Sequence, residues 1–185
     1  MLFKHITAET LRDYAPLKGD DLQIEALIGT AFEYIEQYTG RKLQQERRVE
    51  SHPAQSCILL GAWPVSELES VSIDGTALGS DAVTLDKERG IITLHQMPAG
   101  WVAEVAYTGG YTDETLPRPI LTACAMMVSG MMSAGKNGGQ QITQQMLDGY
   151  QVTYQSRYTG GGELESLSPS AAILLKPYRA RQAMR

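Results

Sequence analysis

The feature that most constrains the fold is a change in the spacing of apolar residues along the chain. Between residues 20 and 39 they recur at steps of three and four, which predicts an amphipathic helix. Its apolar stripe consists of Ile24, Leu27, Ile28, Ala31, Ile35 and Tyr38. Between residues 47 and 107 short apolar runs alternate with polar residues, and Asp74-Gly75 is a typical hairpin turn. This second pattern predicts a small antiparallel sheet, and the two together predict an α+β fold.

Two further helices are expected on either side of the strand-rich stretch. Thr7 is a suitable N-cap for a short helix over residues 7–14. Pro117 and Pro119 open a helix over residues 117–135, because proline is tolerated in a first helical turn. Nearly every face of this last helix is apolar. Such a helix must be covered all round, either by its own domain as an ordinary core helix or by a neighbouring subunit.

The C-terminal quarter changes character. Residues 135–145 form a polar stretch rich in Gly and Gln, and a strand is expected over 150–154. Three consecutive glycines at 160–162 predict a flexible hinge, followed by an apolar, basic segment that is helical from Pro169. The predicted organisation is a small helical bundle with an inserted antiparallel sheet over residues 1–159, then a hinge and extended arm over 160–185. That arm either docks on a partner or folds back on its own body.

Charge is distributed unevenly along the 185 residues, whose net charge is −5. Residues 176–185 contain four basic residues and no acid, whereas residues 1–175 contain 12 basic and 21 acidic residues, a net charge of −9. An acidic body argues against tight non-specific DNA binding, because such binding depends on Lys and Arg at phosphates, and it suits a wall that DNA slides past. The basic pairs at 41–42 and 47–48 have glutamates close by, so they predict a solvated or ion-paired edge.

The chain shows no convincing catalytic, metal or cofactor site. Residues 130–136 have the glycine and lysine spacing of a P-loop, but Asn137 replaces the expected Ser or Thr and a helix precedes the segment. The three histidines are isolated in sequence. Cys57 is expected in a buried strand and Cys124 in the apolar helix, as core thiols of a protein from a reducing cytoplasm. The longest apolar stretch falls short of the ~20 residues that cross a bilayer.

Four segments, taken in order, resemble the head-tail connector (adaptor) proteins in the neck of long-tailed bacteriophages. They are the helix 22–38 followed by Thr39-Gly40-Arg41, Pro64-Val65 leading to residues 71–75, residues 105–111 before Leu116-Pro117, and the final residues 174–179. The match covers most of the chain. The stretch at 135–145 and the three glycines at 160–162 depart from the family pattern.

The resemblance implies a structural protein of the virion neck that assembles in the bacterial host cytoplasm. It implies a homo-oligomeric ring, dodecameric by expectation, between the portal of the DNA-filled head and a stopper or tail protein, with DNA passing through its centre. The residues expected to dock on the portal are Leu174, Leu175, Pro177, Tyr178 and Arg179. The candidate subunit interface consists of Ile24, Ile28, Met127, Met131 and Met132. Two alternatives stay open: a small nucleotide-binding protein or enzyme that uses Gly135-Lys136, and a monomeric tail-completion or stopper protein.

Overall fold

A computed structural model describes residues 3, 6–96, 100–136, 144–147, 150–153 and 168–180. The chain divides into two compact units. The helical unit comprises Met1–Thr39 and Pro117–Tyr178, and the sheet unit comprises Gly40–Leu116 and Arg179–Arg185. The sheet unit is therefore inserted between two helices of the helical unit. This arrangement confirms the predicted α+β fold with an inserted antiparallel sheet.

The helical unit contains four described α-helices. They are α1 (Ala8–Arg12), α2 (Asp21–Thr39), α3 (Arg118–Lys136) and α4 (Pro169–Leu175), with a 3-10 turn at Lys176–Tyr178. Side-chain caps fix the starts of α1 and α4. The Thr7 side chain accepts a hydrogen bond from the Thr10 amide, and the Ser168 side chain accepts one from the Ala171 amide, so both residues are N-caps. The expected helices at 7–14, 20–39 and 117–135 are thereby confirmed.

The four helices pack on one another around a shared apolar core. Helix α3 contacts α1, α2 and α4, and α2 also contacts α1 and α4. The rings of Phe3 and Phe32 lie 5.0 Å apart and are tilted by 41°, a favourable aromatic geometry. The buried side chains from the three longest helices include Ile24, Ile28, Ile35, Ile120, Cys124, Met127, Val128, Ala171 and Leu175. The apolar faces of α2 and α3 are thus largely used within this unit.

The sheet unit contains seven strands in two antiparallel sheets. Strands β1 (Glu46–Pro53), β7 (Val102–Gly109), β3 (Val65–Ile73) and β4 (Thr76–Ala77) form a four-stranded sheet in that order. Strands β2 (Cys57–Leu59), β6 (Ile91–Leu94) and β5 (Val83–Asp86) form a three-stranded sheet, and a 3-10 turn covers Ser80–Ala82. Outside both sheets, β8 (Gln144–Leu147) pairs with β9 (Tyr150–Thr153).

One hydrophobic core joins the two sheets of the sheet unit. Alternate residues of several strands enter it, among them Val71 and Ile73 of β3, Val105 of β7 and Ile92 of β6, as period-2 geometry requires. At the predicted hairpin turn Asp74 and Gly75 have φ angles of 46° and 81°. Two consecutive positive φ values fit a tight turn between β3 and β4.

Strand β9 confirms the strand expected near residue 150, whereas its partner β8 was not predicted. The sequence pattern assigned residues 135–145 to a polar loop, yet Gln144 and Gln145 begin β8. Glutamine carries little strand preference of its own, so pairing with β9 decides the conformation. The three-glycine hinge at 160–162 and most of the polar stretch lie outside the described residues, and the division at residue 160 stays a prediction.

Candidate functional site

A buried arginine lies between two aromatic rings at the start of the sheet unit. Arg41 follows Gly40, which has a φ of 67°, and is 4% exposed. Its guanidinium carbon lies 3.9 Å from the centre of the Trp63 ring and 5.1 Å from that of Tyr111. A guanidinium N–H also donates to the Trp63 carbonyl oxygen. Cation–π attraction is strongest when the cation is desolvated, so this arginine cluster (Arg41, Trp63, Tyr111) ties three loops together.

Backbone hydrogen bonds reinforce the same three loops. The Lys42 amide donates to the Gly61 carbonyl oxygen at 2.9 Å, and the Tyr111 amide donates to the Leu43 carbonyl oxygen at 2.7 Å. The first bond joins the segment after α2 to the loop before Trp63. The second bond joins the same segment to the residues after β7. Since buried backbone groups need partners, the arginine cluster and these bonds stabilise one another.

A second polar group connects β1 with β7 and with the loop before β3. The Tyr107 hydroxyl donates to Glu50 Oε1 at 2.6 Å and accepts from the Ala62 amide at 3.0 Å. The second oxygen, Glu50 Oε2, accepts from the Gly61 amide at 2.9 Å and lies 3.1 Å from His52 Nε2. Both carboxylate oxygens and the hydroxyl are therefore engaged in bonds within the chain. This carboxylate network (Glu50, His52, Tyr107 and the amides of Gly61 and Ala62) stabilises the sheet unit.

The pKa shifts of Glu50 and Tyr107 determine which of these two groups is charged. Burial raises the pKa of Glu50, but hydrogen bonds from His52, Tyr107 and Gly61 outweigh that effect, so its pKa lies below the usual value. Burial, together with the bond to the Glu50 carboxylate, raises the pKa of Tyr107. Glu50 is therefore an anion and Tyr107 a neutral donor near neutral pH. A carboxylate held in this state is a poor proton acceptor.

The lowered pKa of Glu50 predicts a pH-dependent contribution to stability. Because the folded pKa lies below the usual glutamate value of 4.5, the contribution is complete above pH 4.5 and is lost as the pH falls through the folded pKa. We expect Glu50→Gln to lower the free energy of unfolding by about 1 to 3 kcal/mol at pH 7. The difference from wild type should shrink at acidic pH.

Urea unfolding of both proteins at pH 7, 5, 4 and 3 would measure this effect. Glu67 is an exposed glutamate of β3, and Glu67→Gln is a matched control with an expected change within about 0.5 kcal/mol. A Glu50→Gln difference that is constant across the pH series would show that the Glu50 charge is not responsible.

The predicted docking arm is packed onto its own chain over its described residues. Helix α4 belongs to the helical unit, where Ala171, Ala172 and Leu175 are buried. The Tyr38 hydroxyl of α2 donates to the Ala172 carbonyl oxygen at 3.3 Å. A Cβ at Gly40 would lie 3.5 Å from Ala180 Cβ within the sheet unit. The segment around Tyr38 and the C-terminal segment, distant in sequence, are neighbours in the fold.

The individual docking residues differ in their accessibility. Leu175 is fully buried and holds α4 in place. Its side chain is already covered by contacts within its own chain. Leu174 and Tyr178 are half-buried, whereas Pro177 and Arg179 are exposed. Sequence reasoning missed Ile173, which is 73% exposed and is the most accessible apolar side chain of α4. Docking of this segment on a portal stays a prediction.

The five candidate interface residues also separate by burial. Three of them are buried in the core of the helical unit, namely Ile24, Ile28 and Met127. These three side chains pack within their own chain. Met131 and Met132 are half-buried at the far end of α3. A Cβ at residue 19 would lie 2.2 Å from Met132 Cε, so Gly19 leaves the space that Met132 fills. A contact with a neighbouring subunit stays a prediction for Met131 and Met132.

The P-loop-like segment and Cys124 both lie on α3, and Cys57 lies on β2. Residues 130–136 form the last turns of α3, so the P-loop spacing falls inside a helix, where no phosphate cradle forms. Burial raises the pKa of Cys124 to about 12, which leaves an inert thiol. Cys57 lies on β2 as expected, but it is exposed rather than buried, because residues 57 and 58 point to opposite faces and Ile58 takes the core side.

No group of three or more His, Cys, Asp or Glu side chains among the described residues is placed to hold a metal ion. No helix in the described part of the chain is both long and apolar enough to cross a membrane.

The basic pairs near the start of the sheet unit behave in two ways. Arg47 lies 2.8 Å from Glu69 and Arg48 lies 3.0 Å from Glu46, which confirms the predicted ion-paired edge at these positions. Arg41 is instead buried between aromatic rings, which the charge pattern did not indicate. The sequence did carry one signal for this cluster. Arg41 belongs to one of the four segments that carry the family resemblance, Trp63 adjoins a second segment, and Tyr111 belongs to a third.

The arginine cluster and the carboxylate network make their hydrogen bonds within the sheet unit, and the helical unit encloses its own core. These features define an α+β protein with a helical bundle, an inserted sheet unit and polar clusters that stabilise the fold. The family model of the head completion proteins (HCP) matches residues 4–179. The chain therefore belongs to the head completion protein family, which agrees with the connector resemblance.

Solved structures with a similar fold come from gene transfer agent (GTA) particles. A chain of the virion of the native GTA particle has a TM-score of 0.57 at 16% identity, over 95% of this chain and 90% of that chain. A chain of the neck of the native particle, computed with C12 symmetry, has a TM-score of 0.55 at 16% identity. A chain of the neck of the empty particle, computed with C6 symmetry, has a TM-score of 0.54 at 17% identity. Both neck matches cover 100% of this chain and 98% of the other. Comparison with curated proteins finds no match.

Proposed function

We propose that this protein is a ring-forming adaptor in the neck of a phage or phage-like particle. In this role it joins the portal of the DNA-filled head to a tail or stopper protein. The observation that carries the proposal is the head completion family match over residues 4–179. Head completion is an assembly role and not a class of enzyme.

A ring is supported by the similar fold of chains from GTA necks. Those necks were computed with C12 and C6 symmetry, and the matches span the whole of this chain. A closed ring needs a head-to-tail interface, in which one surface of each copy meets a different surface of the next. Under this proposal the protein is located in the virion neck.

Passage of DNA through the ring is supported by charge. The net charge of the chain is −5, and the four basic residues after position 175 leave the rest of the chain at −9. Surfaces of this sign do not accumulate the phosphate contacts that hold DNA in place. The lumen would therefore guide DNA without sequence-specific binding.

Contact with the portal is assigned to the outer face of α4 and the turn after it. Ile173 and Pro177 are exposed on this segment, and Arg179 is exposed just beyond it. Exposed apolar and arginine side chains concentrate binding energy when a partner covers them. The buried Leu175 fixes α4 on the helical unit and so presents these residues.

Two measurements on the full-length protein test the proposal. Native mass and negative-stain images across a concentration series should show rings with a hole wide enough for duplex DNA. Ile173→Asp should then reduce copurification with the portal protein of the same genome by about tenfold or more. Ser170→Asp adds the same charge at another exposed position of α4 and is expected to leave binding unchanged.

The possible results separate the parts of the proposal. Rings with equal portal binding by wild type and Ile173→Asp would remove the α4 assignment and leave the ring. A protein that forms no ring, either alone or on the portal, would contradict the adaptor role.

A further inference from the structure

Strand β1 is an edge strand of the four-stranded sheet. Within the described residues it pairs only with β7, in one register over its whole length. The Ala54 amide donates to the Trp101 carbonyl oxygen at 2.9 Å, so these two residues form a hydrogen-bonded pair. Since such pairs alternate along antiparallel strands, the amides of Arg47, Val49 and Ser51 point away from β7. These amides, with the carbonyl oxygens of the same residues, form an edge that can pair with another strand.

The side chains on this edge are accessible as well. Arg47, Val49 and Ser51 are exposed, and Val49 is 52% exposed. Pro53 continues the same alternation and is also exposed. Proline has no amide to donate, and within sheets it is confined to edges, strand ends and bulges. The stretch that can pair with another strand is therefore centred on Val49.

The charges of β1 follow an order that is reversed across Val49. Arg48 and Glu50 lie one residue away on either side, and Glu46 and His52 lie three residues away. The side chains of Arg48, Glu50 and His52 keep 20 to 23% of their surface exposed, so all three reach the surface. Charges on an edge strand usually prevent pairing with a second strand. Here their order permits one pairing, in which unlike groups meet.

Two copies of β1 can pair in antiparallel fashion about a two-fold axis at Val49. The residues that point away from β7 then meet in hydrogen-bonded pairs, Val49 with its own counterpart and Arg47 with Ser51 of the second copy. Arg48 of each copy lies opposite Glu50 of the other. Moving the axis by one residue in either direction would place Arg48 opposite Arg48, or Glu50 opposite Glu50. Because like charges directly opposite each other are destabilising, the charges favour the register centred on Val49.

We propose that β1 binds β1 of a second copy in this register, so that two four-stranded sheets join into one. Each copy gives the other the same contacts, so the pair is closed and does not grow into a filament. Neighbours in a cyclic ring are related by the rotation of the ring and not by such a two-fold axis. The β1 pair therefore joins copies that are not yet in a ring, where it covers an edge that is otherwise open to aggregation. It does not depend on the adaptor role.

Cysteine crosslinking tests the register directly. In a Cys57→Ser background, which removes the exposed native thiol, a mixture of Arg47→Cys and Ser51→Cys proteins should form a disulfide-linked mixed dimer on mild oxidation. Hydrogen-bonded pairs bring Cα atoms to about 5.5 Å, within the range that a disulfide spans. Either variant alone should crosslink poorly, because its two cysteines would be about 13 Å or more apart. The double variant should stop at a dimer, whereas a head-to-tail contact would give a ladder.

Backbone pairing is tested by a matched pair of substitutions at residue 49. Val49→Pro removes an amide that points away from β7, so it should preserve the fold and raise the dissociation constant of the dimer by about tenfold or more. Val49→Thr keeps the amide and the β-branched shape, and should dimerise as wild type does. Sedimentation velocity across a concentration series measures dimerisation, and circular dichroism and thermal melting establish that both variants are folded. Val49→Pro should form rings at no higher concentration than wild type.

Charges placed at the two-fold axis give an independent readout. Val49→Glu and Val49→Lys each set like charges opposite each other and should weaken the dimer by about fivefold or more, whereas an equimolar mixture should form the mixed dimer.

The outcomes separate the β1 pair from the adaptor role. Wild-type protein that stays monomeric at high concentration, or equal dimerisation by Val49→Pro and Val49→Thr, would overturn the pair and leave the adaptor role unchanged. Loss of rings in Val49→Pro would also overturn it, because the edge would then belong to the ring. Crosslinked β1 dimers from a protein that forms no ring on the portal would support the pair and contradict the adaptor role alone.

Discussion

Gly110→Ala is expected to destabilise the sheet unit by about 4 kcal/mol or more, which is most of the stability of a marginally stable domain. Gly110 has a φ of 112°, a conformation that residues with a Cβ rarely adopt. An added Cβ would lie 2.5 Å from the Gln44 carbonyl oxygen and 2.7 Å from the Gln45 nitrogen. Both are backbone atoms and cannot rotate away. The Gly110 amide also donates to the Pro64 carbonyl oxygen at 2.9 Å, so movement would break that bond.

A second glycine provides the matched control. Gly29 lies in α2 and is exposed. Apart from its chain neighbours and the backbone of its own helix, no described atom lies within 4 Å of the position of an added Cβ. Gly29→Ala should therefore raise the free energy of unfolding by about 0.5 to 1 kcal/mol, because alanine favours the helix and restricts the unfolded chain. Urea unfolding followed by circular dichroism measures both variants. A Gly110→Ala protein as stable as wild type would show that Gly110 does not pack closely against Gln44 and Gln45.

Arg41→Ala is expected to cost about 3 to 5 kcal/mol. The substitution removes the guanidinium group that lies over the Trp63 and Tyr111 rings and empties a buried volume. It also removes the guanidinium N–H that donates to the Trp63 carbonyl oxygen. Arg41→Lys should recover only part of this loss. Lysine retains the charge, but it lacks the planar group that stacks on one ring while donating to a carbonyl oxygen.

Lys42→Ala is the control for Arg41→Ala. It removes the same charge from the adjacent position, where the side chain is exposed, and should change the free energy of unfolding by no more than about 0.5 kcal/mol. Thermal unfolding monitored by tryptophan fluorescence is suitable, since Trp63 is in the arginine cluster. Equal effects of the two substitutions would mean that Arg41 contributes only its charge.

Several elements could be predicted because neighbouring residues alone specify them. The helix Asp21–Thr39 follows from apolar spacing, and α4 begins at Pro169 because proline favours the first turn of a helix. The turn at Asp74-Gly75 follows from the tolerance of these residues for positive φ. Family membership was also recognisable, since four short segments keep their order and spacing along the chain.

Local pattern failed where burial depends on distant parts of the chain. Arg41 and Lys42 are adjacent basic residues, yet one is buried and the other exposed. The difference arises because Trp63 and Tyr111 approach residue 41 from loops that are 22 and 70 positions away. Cys57 is exposed and Leu175 is buried for the same reason.

The sequence by itself determined the helices, most strands, the turns and the family, because their causes act between residues a few positions apart. Only the tertiary structure decided which charged groups enter the interior and which apolar side chains remain outside. Those outcomes depend on desolvation and on partners supplied by remote segments. The arginine cluster and the Glu50–Tyr107 bond are both of this second kind.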